Sequence, residues 1–265
     1  MRKIYKNAKQ SLILFLYLRV NVENSYILVT GANGGIGQAT IKELQKSPLI
    51  LVGRDESSLK NLRDTLDDPK KHKIIQADLS SHEGIQSFIT ILKNARCKVK
   101  AFVHIAGICY LAGAKNFEYK SMLEMMNVNL FSALEVIRTL SRKPFSEYFE
   151  NTVLLSSISS QRGVKSEALY ASSKNALEAI VRGFAIELAP KVRINAVAPG
   201  MIFDTKMTGH LYSQEQKNFI ESEYPLGTGK PEDIADAIAY LLSPKSKWIT
   251  GQTLIVDGGN SIKGQ

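Results

Sequence analysis

Short apolar segments that can form buried strands alternate with longer segments of helical periodicity from residue 26 onward. Seven such apolar segments occur, at 26–30, 49–52, 73–77, 101–105, 151–155, 192–197 and 252–256. Near-continuous apolar strands indicate a sheet that is covered on both faces, as parallel sheets are. The longest helical patterns lie near 118–142 and 168–189. Alternating strands and helices predict an α/β fold that is doubly wound around one parallel sheet.

Length and composition fit a single domain. The chain has 265 residues, which suits one large α/β domain better than two small ones. No linker, repeat or change in composition divides residues 25–265, so we expect them to fold as one domain. Two cysteines, Cys97 and Cys109, are too few for a disulfide framework and are typical of a reducing, cytoplasmic compartment. The histidines are too scattered to suggest a metal site.

Residues 1–24 differ from the rest of the chain. They carry five basic and one acidic side chain, which gives +4 of the total net charge of +9. The apolar run at 12–18 resembles the core of a signal peptide, but no small-residue cleavage site follows, and the run is far too short to span a bilayer. We predict a basic extension that is disordered or packed on the surface, with a weak interfacial anchor as the alternative. The remaining charge shows no basic run, which argues against nucleic-acid binding.

A glycine-rich turn joins the first strand to a helical stretch at about 36–46. Glycines let the backbone turn sharply and approach a pyrophosphate closely. The helix start offers free N–H groups and the positive end of the helix dipole. An ordinary glycine-rich turn is the alternative, but the order of strand, glycines and helix favours a dinucleotide site. The predicted contacts are Gly31, Asn33, Gly34, Gly35, Ile36 and Gly37.

Tyr170 and Lys174 form a YxxxK pair where a helical stretch begins, so both side chains are predicted on one helix face. A phenol with its ordinary pKa of about 10 is a poor acid–base catalyst at neutral pH, and a nearby ammonium group lowers that pKa. The pair alone is a weak signal, because about one such match is expected by chance. A pair on the helix surface is therefore the alternative.

Hydroxyl and amide side chains supply the other catalytic candidates. Ser156, Ser157 and Ser159 follow the fifth strand, and ligands of open α/β sheets bind beyond the carboxyl ends of the strands. A hydroxyl at this edge can stabilise charge on a substrate oxygen, whereas capping of the strand end is the alternative. Asn129 lies among apolar residues, where a buried amide needs partners.

These motifs together resemble the short-chain dehydrogenase/reductase family, whose members carry TGxxxGxG after the first strand. The resemblance runs over about 26–259 and implies a single-domain Rossmann-like fold with a seven-stranded parallel sheet. It implies that Ser157, 13 residues before Tyr170, is the catalytic serine. It also implies that Asn129 holds a water that links Lys174 to solvent as a proton relay. The family's enoyl reductase branch spaces its tyrosine and lysine more widely.

The resemblance also implies further cofactor contacts. They are Asp78, Leu79, Ala106, Gly107, Tyr170, Lys174, Pro199, Gly200, Ile202 and Thr205. Two departures from the family pattern stand out. The usual NNAG reads His104-Ile105-Ala106-Gly107, and loss of both asparagines is expected to remove side-chain bonds that brace neighbouring strands. The loop that leads to Thr205 is one residue longer than usual, which weakens its match to a carboxamide contact.

The end of the second strand bears on which cofactor is used. NAD-specific Rossmann proteins place an acidic residue here for the ribose 2′-OH. Gly53 occupies that position and Arg54 follows, with forked donors that suit a 2′-phosphate, so NADP(H) is predicted. NAD(H) is the alternative, because Gly34 stands where many NADP-dependent relatives have a basic residue and because Asp55 could point inward. A solvated surface role is the alternative for Arg54.

The predicted function is hydride transfer between NADP(H) and a carbonyl or alcohol substrate, with 3-oxoacyl thioester reduction as the favoured subtype. A sugar or steroid alcohol dehydrogenase is one alternative, and a cofactor-sensing regulatory protein without turnover is another. The resemblance implies a homotetramer assembled through 118–142, 168–189 and 252–256. The first stretch carries a surplus of apolar side chains that predicts an interface. These side chains are Met122, Leu123, Met125, Met126, Leu130, Leu134 and Ile137.

Overall fold

The computed structural model describes residues 25–203, 205 and 212–263. The predicted extension at 1–24 lies outside the described residues. Within the described part, seven parallel strands form one sheet in the order β3-β2-β1-β4-β5-β6-β7. Their bounds are β1 Tyr26–Thr30, β2 Leu49–Gly53, β3 Lys73–Gln76, β4 Val99–His104, β5 Asn151–Leu155, β6 Arg193–Pro199 and β7 Thr253–Val256. The predicted Rossmann-like, doubly wound fold with a seven-stranded parallel sheet is confirmed.

Helices connect the strands and cover both faces of the sheet. They are α1 Gly35–Leu44, α2 Glu56–Asp64, α3 His82–Asn94, α4 Tyr119–Met126, α5 Ser132–Leu140, α6 Ala168–Glu187, α7 Gln214–Ser222 and α8 Pro231–Leu242. Short 3₁₀ turns lie at Pro69–Lys71, Phe145–Glu147, Ile158–Ser160, Pro244–Ser246 and Asn260–Ile262. The helix predicted near 118–142 is not continuous, because a π-helical turn at Asn127–Phe131 separates α4 from α5.

Side chains of each central strand alternate between two apolar cores, one on each face of the sheet. In β1, Leu28 packs in the core that also contains residues of α3, α5 and α6. Its neighbours Ile27 and Val29 pack in the other core, with residues of α1, α2 and α8. Burial on both faces explains the continuous apolar runs of the sequence.

The strand order runs outward from β1 in both directions, to β2 on one side and to β4 on the other. The helix that follows β1 and the helices that follow β4 accordingly cover opposite faces of the sheet. Ligands of doubly wound sheets bind in the crevice that such a reversal creates beyond the carboxyl ends of the strands. The loops after β1 and β4 meet there. A Cβ atom on Gly31 would lie 2.6 Å from the backbone nitrogen of Ala106.

Candidate active site

The glycine turn after β1 has the geometry of a phosphate cradle. Gly31 has a φ of +72°, which disfavours residues with a side chain. A Cβ on Gly37 would lie 2.1 Å from the carbonyl oxygen of Gly31, so the helix start packs directly on the turn. Gly34 caps the described helix α1 without a side-chain acceptor, and the first turn of that helix holds no acidic residue. The first N–H groups of α1 therefore suit a pyrophosphate.

The end of β2 carries no acidic side chain at the position that NAD-specific proteins use, since Gly53 stands there. A Cβ on Gly53 would lie 2.6 Å from Oδ1 of Asn33, so the asparagine fills this space. Arg54 follows and is exposed. Asp55 does not take the inward role considered from the sequence, because its Oδ1 caps α2 by accepting the backbone N–H of Ser58 at 3.1 Å.

The loops after β3 and β4 contribute backbone more than side chains. The exposed Asp78 accepts the backbone N–H of Ser80 at 3.0 Å, while the side chain of Leu79 is buried in a core. Ala106 is also nearly buried. A Cβ on Gly107 would lie 3.3 Å from Nζ of Lys174, so glycine at this position leaves room for the lysine.

The loop that follows β6 is packed against Tyr224. A Cβ on Gly200 would lie 2.8 Å from the ring of Tyr224, whose hydroxyl oxygen accepts the backbone N–H of Met201 at 2.9 Å. The side chain of Ile202 points into the core and is 5% exposed, so its backbone is the part available to a ligand. The carboxamide contact predicted for Thr205 stays a prediction.

The three residues expected to act on substrate lie together beyond the carboxyl end of β5. Nζ of Lys174 lies 5.8 Å from the ring centroid of Tyr170 and donates to the carbonyl oxygen of Leu155 at 2.7 Å. The hydroxyl of Ser157 lies close enough to that of Tyr170 to act on its pKa, and it accepts the backbone N–H of Ser159 at 3.2 Å. Lys174 is 2% exposed, so its ammonium group is held in a nearly dry environment.

Burial sets the ionisation of this group. It lowers the pKa of Lys174 to about 8 and raises the pKa of Tyr170, an effect that the hydrogen bond from Ser157 only partly opposes. The pKa of Tyr170 is thus shifted in the direction opposite to the one expected from Lys174, because burial and the nearby Cys109 and Glu167 raise it. A raised pKa favours the neutral phenol, the form that a proton donor needs.

The hydrogen bonds distinguish Ser157 from the two other serine candidates. The hydroxyl of Ser156 donates to Oε1 of Glu178 at 2.7 Å. The hydroxyl of Ser159 donates to Oε2 of Glu167 at 2.6 Å. Both hydroxyls therefore bind carboxylates, whereas the hydroxyl of Ser157 caps the turn at Ile158–Ser160 and is the one of the three that acts on the pKa of Tyr170.

Asn129 lies in the π-helical turn and connects two parts of the site. Its Oδ1 accepts the backbone N–H of Ile108 at 2.8 Å, and its Nδ2 donates to the carbonyl oxygen of Ile108 at 3.0 Å and to Oγ of Ser173 at 2.9 Å. Ser173 in turn donates to the carbonyl oxygen of Tyr170 at 2.7 Å. The amide thus ties the loop after β4 to the start of α6. A relay water on Asn129 stays a prediction.

His104 supplies the bracing that the missing asparagines were expected to remove. Its Nδ1 lies 2.8 Å from Oγ1 of Thr30, and its Nε2 lies 3.2 Å from the carbonyl oxygen of Asn129. A carbonyl can only accept, so Nε2 carries the proton and Nδ1 accepts from Thr30. This fully buried imidazole therefore joins β1, β4 and the π-helical turn by side-chain contacts.

Because His104 is buried, acid should destabilise the fold. Burial, together with the charge of Lys174, lowers the pKa of His104 to about 3, whereas the unfolded chain titrates near about 6.5. Between these values the unfolded state binds more protons, so the free energy of unfolding falls as the pH is lowered from 6.5 towards 3. We expect this group to contribute a slope approaching ~1.4 kcal/mol per pH unit.

The measurement is urea unfolding of wild type and His104→Asn across this pH range. The asparagine keeps a polar amide but does not titrate, so its slope should be shallower. His72, whose pKa burial also lowers, contributes equally to both proteins and cancels in the comparison. Equal slopes would show that His104 is not the titrating group.

Two groups near the site had no signal in the sequence. The carboxylate of Glu178, 4% exposed, accepts hydrogen bonds from the hydroxyls of Ser156 and Ser160. It therefore fixes the chain before and after Ser157. Cys109 lies close enough to influence the pKa values of Tyr170 and Lys174, and burial raises its own pKa to about 12. Both placements depend on contacts between distant segments, which local patterns do not encode.

Two searches of the described part of the chain, 25–203, 205 and 212–263, bear on other classes of site. No helix there is long and apolar enough to cross a membrane. The same residues contain no cluster of three or more His, Cys, Asp or Glu side chains that could hold a metal ion.

Comparison with known proteins agrees with this geometry. A family model described as enoyl-(acyl carrier protein) reductase matches residues 31–261. The 3-oxoacyl-[acyl-carrier-protein] reductase FabG of Rickettsia bellii (strain RML369-C) is 33% identical over 244 residues, which cover 91% of this chain and 98% of that protein.

Solved structures show the same fold. A short-chain dehydrogenase/reductase from Brucella melitensis, described as glucose/ribitol dehydrogenase, superposes with a TM-score of 0.81 at 30% identity over 90% of this chain and 97% of its own. A 4-hydroxyisoleucine dehydrogenase complexed with NADH has a TM-score of 0.82 at 26% identity and covers 91% of this chain and 100% of its own.

Proposed function

The chain belongs to the short-chain dehydrogenase/reductase family and is an oxidoreductase, and we propose that it reduces 3-oxoacyl thioesters with NADPH. The observation that carries the proposal is the convergence of Ser157, Tyr170 and Lys174 beside the glycine turn. The FabG relative supports the thioester substrate. The spacing of four between Tyr170 and Lys174 favours carbonyl reduction over the enoyl reduction that the family model's description names.

The cradle fits a dinucleotide, because Gly31 and Gly37 let the turn pack directly against the loop after β4 and the start of α1, where free N–H groups suit a pyrophosphate. When bound, a nicotinamide cofactor supplies the hydride for the carbonyl carbon. Ser157 then hydrogen-bonds the substrate oxygen, and Tyr170 donates its proton to that oxygen as negative charge develops. The phenolate left on Tyr170 is stabilised by the ammonium group of Lys174. Because burial lowers the pKa of Lys174 to about 8, this group can also return a proton to the tyrosine.

A screen of substrates tests this assignment. Oxidation of NADPH would be followed with 3-oxoacyl, sugar and steroid carbonyls, and reduction of NADP⁺ with the matching alcohols. We expect the highest kcat/KM for a 3-oxoacyl thioester. Turnover of a sugar alcohol alone would favour the second candidate, a dehydrogenase like the Brucella structure. Cofactor binding without turnover of any substrate would favour a sensing role.

NADP(H) is the proposed cofactor because Gly53 supplies no carboxylate at the end of β2, while the exposed Arg54 can meet a 2′-phosphate. We expect wild type to have a higher kcat/KM with NADPH than with NADH.

Arg54→Ala should lose most of that preference, about tenfold for one charge-assisted contact, by weakening NADPH binding alone. Lys42→Ala removes an exposed charge from the side of α1 as a control. A better kcat/KM with NADH in wild type, or an unchanged ratio in Arg54→Ala, would refute this use of Arg54.

We also propose that the protein is a cytoplasmic homotetramer that acts on small molecules without binding nucleic acid. The stretch 118–142 exposes fewer apolar side chains for a subunit interface than its sequence suggested. Met125, Leu130 and Ile137 are buried in the chain's own core, since α4 and α5 pack on the sheet. Leu123 and Phe131 remain exposed on this side.

The edge strand β7 offers a second apolar surface for assembly. Leu254 and Ile255 are exposed on it, and the indole of Trp248, 97% exposed, lies shortly before the strand in sequence. We expect light scattering to give a tetramer for wild type and a smaller species for Ile255→Lys, because a charge would be buried at the contact. The exposed Phe219 lies on α7, so Phe219→Lys serves as the control. A monomeric wild type at micromolar concentration would contradict this assembly.

A further inference from the structure

A cavity of ≈ 600 Å³ lies at the edge of the sheet opposite to the active site. It is formed by the ends of α3 and α5, the segment before β4 and the loop that leads to β5. Since β4 begins at this cavity and ends at the active site, the two sites are separated by the length of the strand. The cavity is therefore not part of the cofactor or substrate site.

Positive charge dominates the lining of this cavity. Its cationic residues are Lys93, Arg96, Lys98, Arg138, Arg142 and Lys143. Carboxylates are absent from the lining residues, all of which are described. Arg138 is paired with Glu135, and Lys98 lies 5.0 Å from the ring centroid of Tyr148.

Four of these cations have no ion-pair partner within the described part of the chain. They are Lys93, Arg96, Arg142 and Lys143. Helix dipoles explain only part of this concentration of charge. The dipoles at the C-terminal ends of α3 and α5 together amount to about one negative charge, which cannot neutralise the four positive charges of these side chains.

Arg96 adds a second observation. Its φ of +47° lies in the left-handed region, which glycine or asparagine adopts more easily. The left-handed conformation ends α3, since Arg96 directly follows its C-cap Ala95. A glycine would satisfy this turn with less strain, but the position holds an exposed arginine that lines the cationic cavity.

We propose that this cavity binds a small molecule that bears one or more phosphate groups. Arginine forks and lysine ammonium groups are the donors that phosphates prefer. Pro144, Phe145 and Tyr148 supply an apolar wall for the organic part of the ligand. The volume lies within the range of small-molecule sites and is too small for a folded partner or a nucleic-acid duplex.

Calorimetric titration of the full chain with ADP tests the proposal, and titration with inorganic pyrophosphate separates charge from the organic part. Arg96→Gln/Arg142→Gln removes two exposed lining charges, and Lys42→Gln/Lys245→Gln removes two exposed charges elsewhere. We expect wild type and the control pair to bind ADP at two sites, the cofactor cradle and the cavity. The cavity pair should retain only the first site, or bind at the second at least about tenfold more weakly.

NADPH affinity and turnover should be unchanged in the cavity pair, since both arginines lie away from the active site. Stronger binding of ADP than of pyrophosphate at the second site would support a phosphate ester as the ligand. The same number of sites with the same affinities in all three proteins, or no binding in any of them, would overturn the proposal. The readout is binding, so failure of the oxidoreductase assignment would leave the test intact.

Discussion

Replacing Tyr170 with phenylalanine is expected to lower kcat by about 10²-fold or more, the magnitude of lost general-acid catalysis. Phenylalanine keeps the packing of the ring and removes only the hydroxyl that meets Ser157 and carries the proton. Affinity for the cofactor, measured by calorimetry, should change little. Tyr240→Phe removes an equivalent hydroxyl from an exposed position on α8 and should leave kcat unaltered. Near-normal turnover of the Tyr170→Phe enzyme would remove this residue from the mechanism.

A single methyl group at Gly37 should abolish tight cofactor binding. The Cβ of Gly37→Ala would lie 2.1 Å from the carbonyl oxygen of Gly31, so the backbone of the turn has to move away from α1. We expect the Kd for cofactor to rise on the order of 10²-fold, the loss of about two charge-assisted hydrogen bonds.

Gly183→Ala provides the matched control for this variant. A Cβ at Gly183 meets no atom within 4 Å, and the residue lies in the middle of α6. We expect unchanged cofactor affinity and a gain of about 0.5–1 kcal/mol in the free energy of unfolding, because alanine is the better helix former. Wild-type affinity in Gly37→Ala would show that the turn does not hold the pyrophosphate.

Features that follow from local chain chemistry were predictable. The apolar strands, the glycine turn and the spacing of Tyr170 and Lys174 each depend on a few neighbouring residues. Strands with buried faces have recognisable sequences, and Gly31 is required by its positive φ. The order of the elements then places these residues at one edge of the sheet.

Features that depend on contacts between distant segments were not predictable. The π-helical turn interrupts a segment whose periodicity reads as one continuous helix. His104 braces three elements through partners at Thr30 and Asn129, far from it in the sequence.

The ionisation of Tyr170 shows how burial changes a prediction based on proximity. The sequence correctly places an ammonium group one helical turn away, and proximity alone predicts a lower pKa. Burial in the folded site also raises the pKa of the half-buried Tyr170 and lowers that of the buried Lys174. Desolvation depends on the packing of the whole site, so it could not be judged from the YxxxK spacing.

Transfer of deuterium from labelled NADPH tests the central claim most directly. The cofactor would carry deuterium at both C4 positions of the dihydronicotinamide, and mass spectrometry would locate the label in the product of a 3-oxoacyl thioester. We predict a single deuterium on the former carbonyl carbon with wild type and almost none in the same time with Tyr170→Phe. Label on any other carbon of the product, or label retained entirely in the cofactor, would contradict carbonyl reduction by this enzyme.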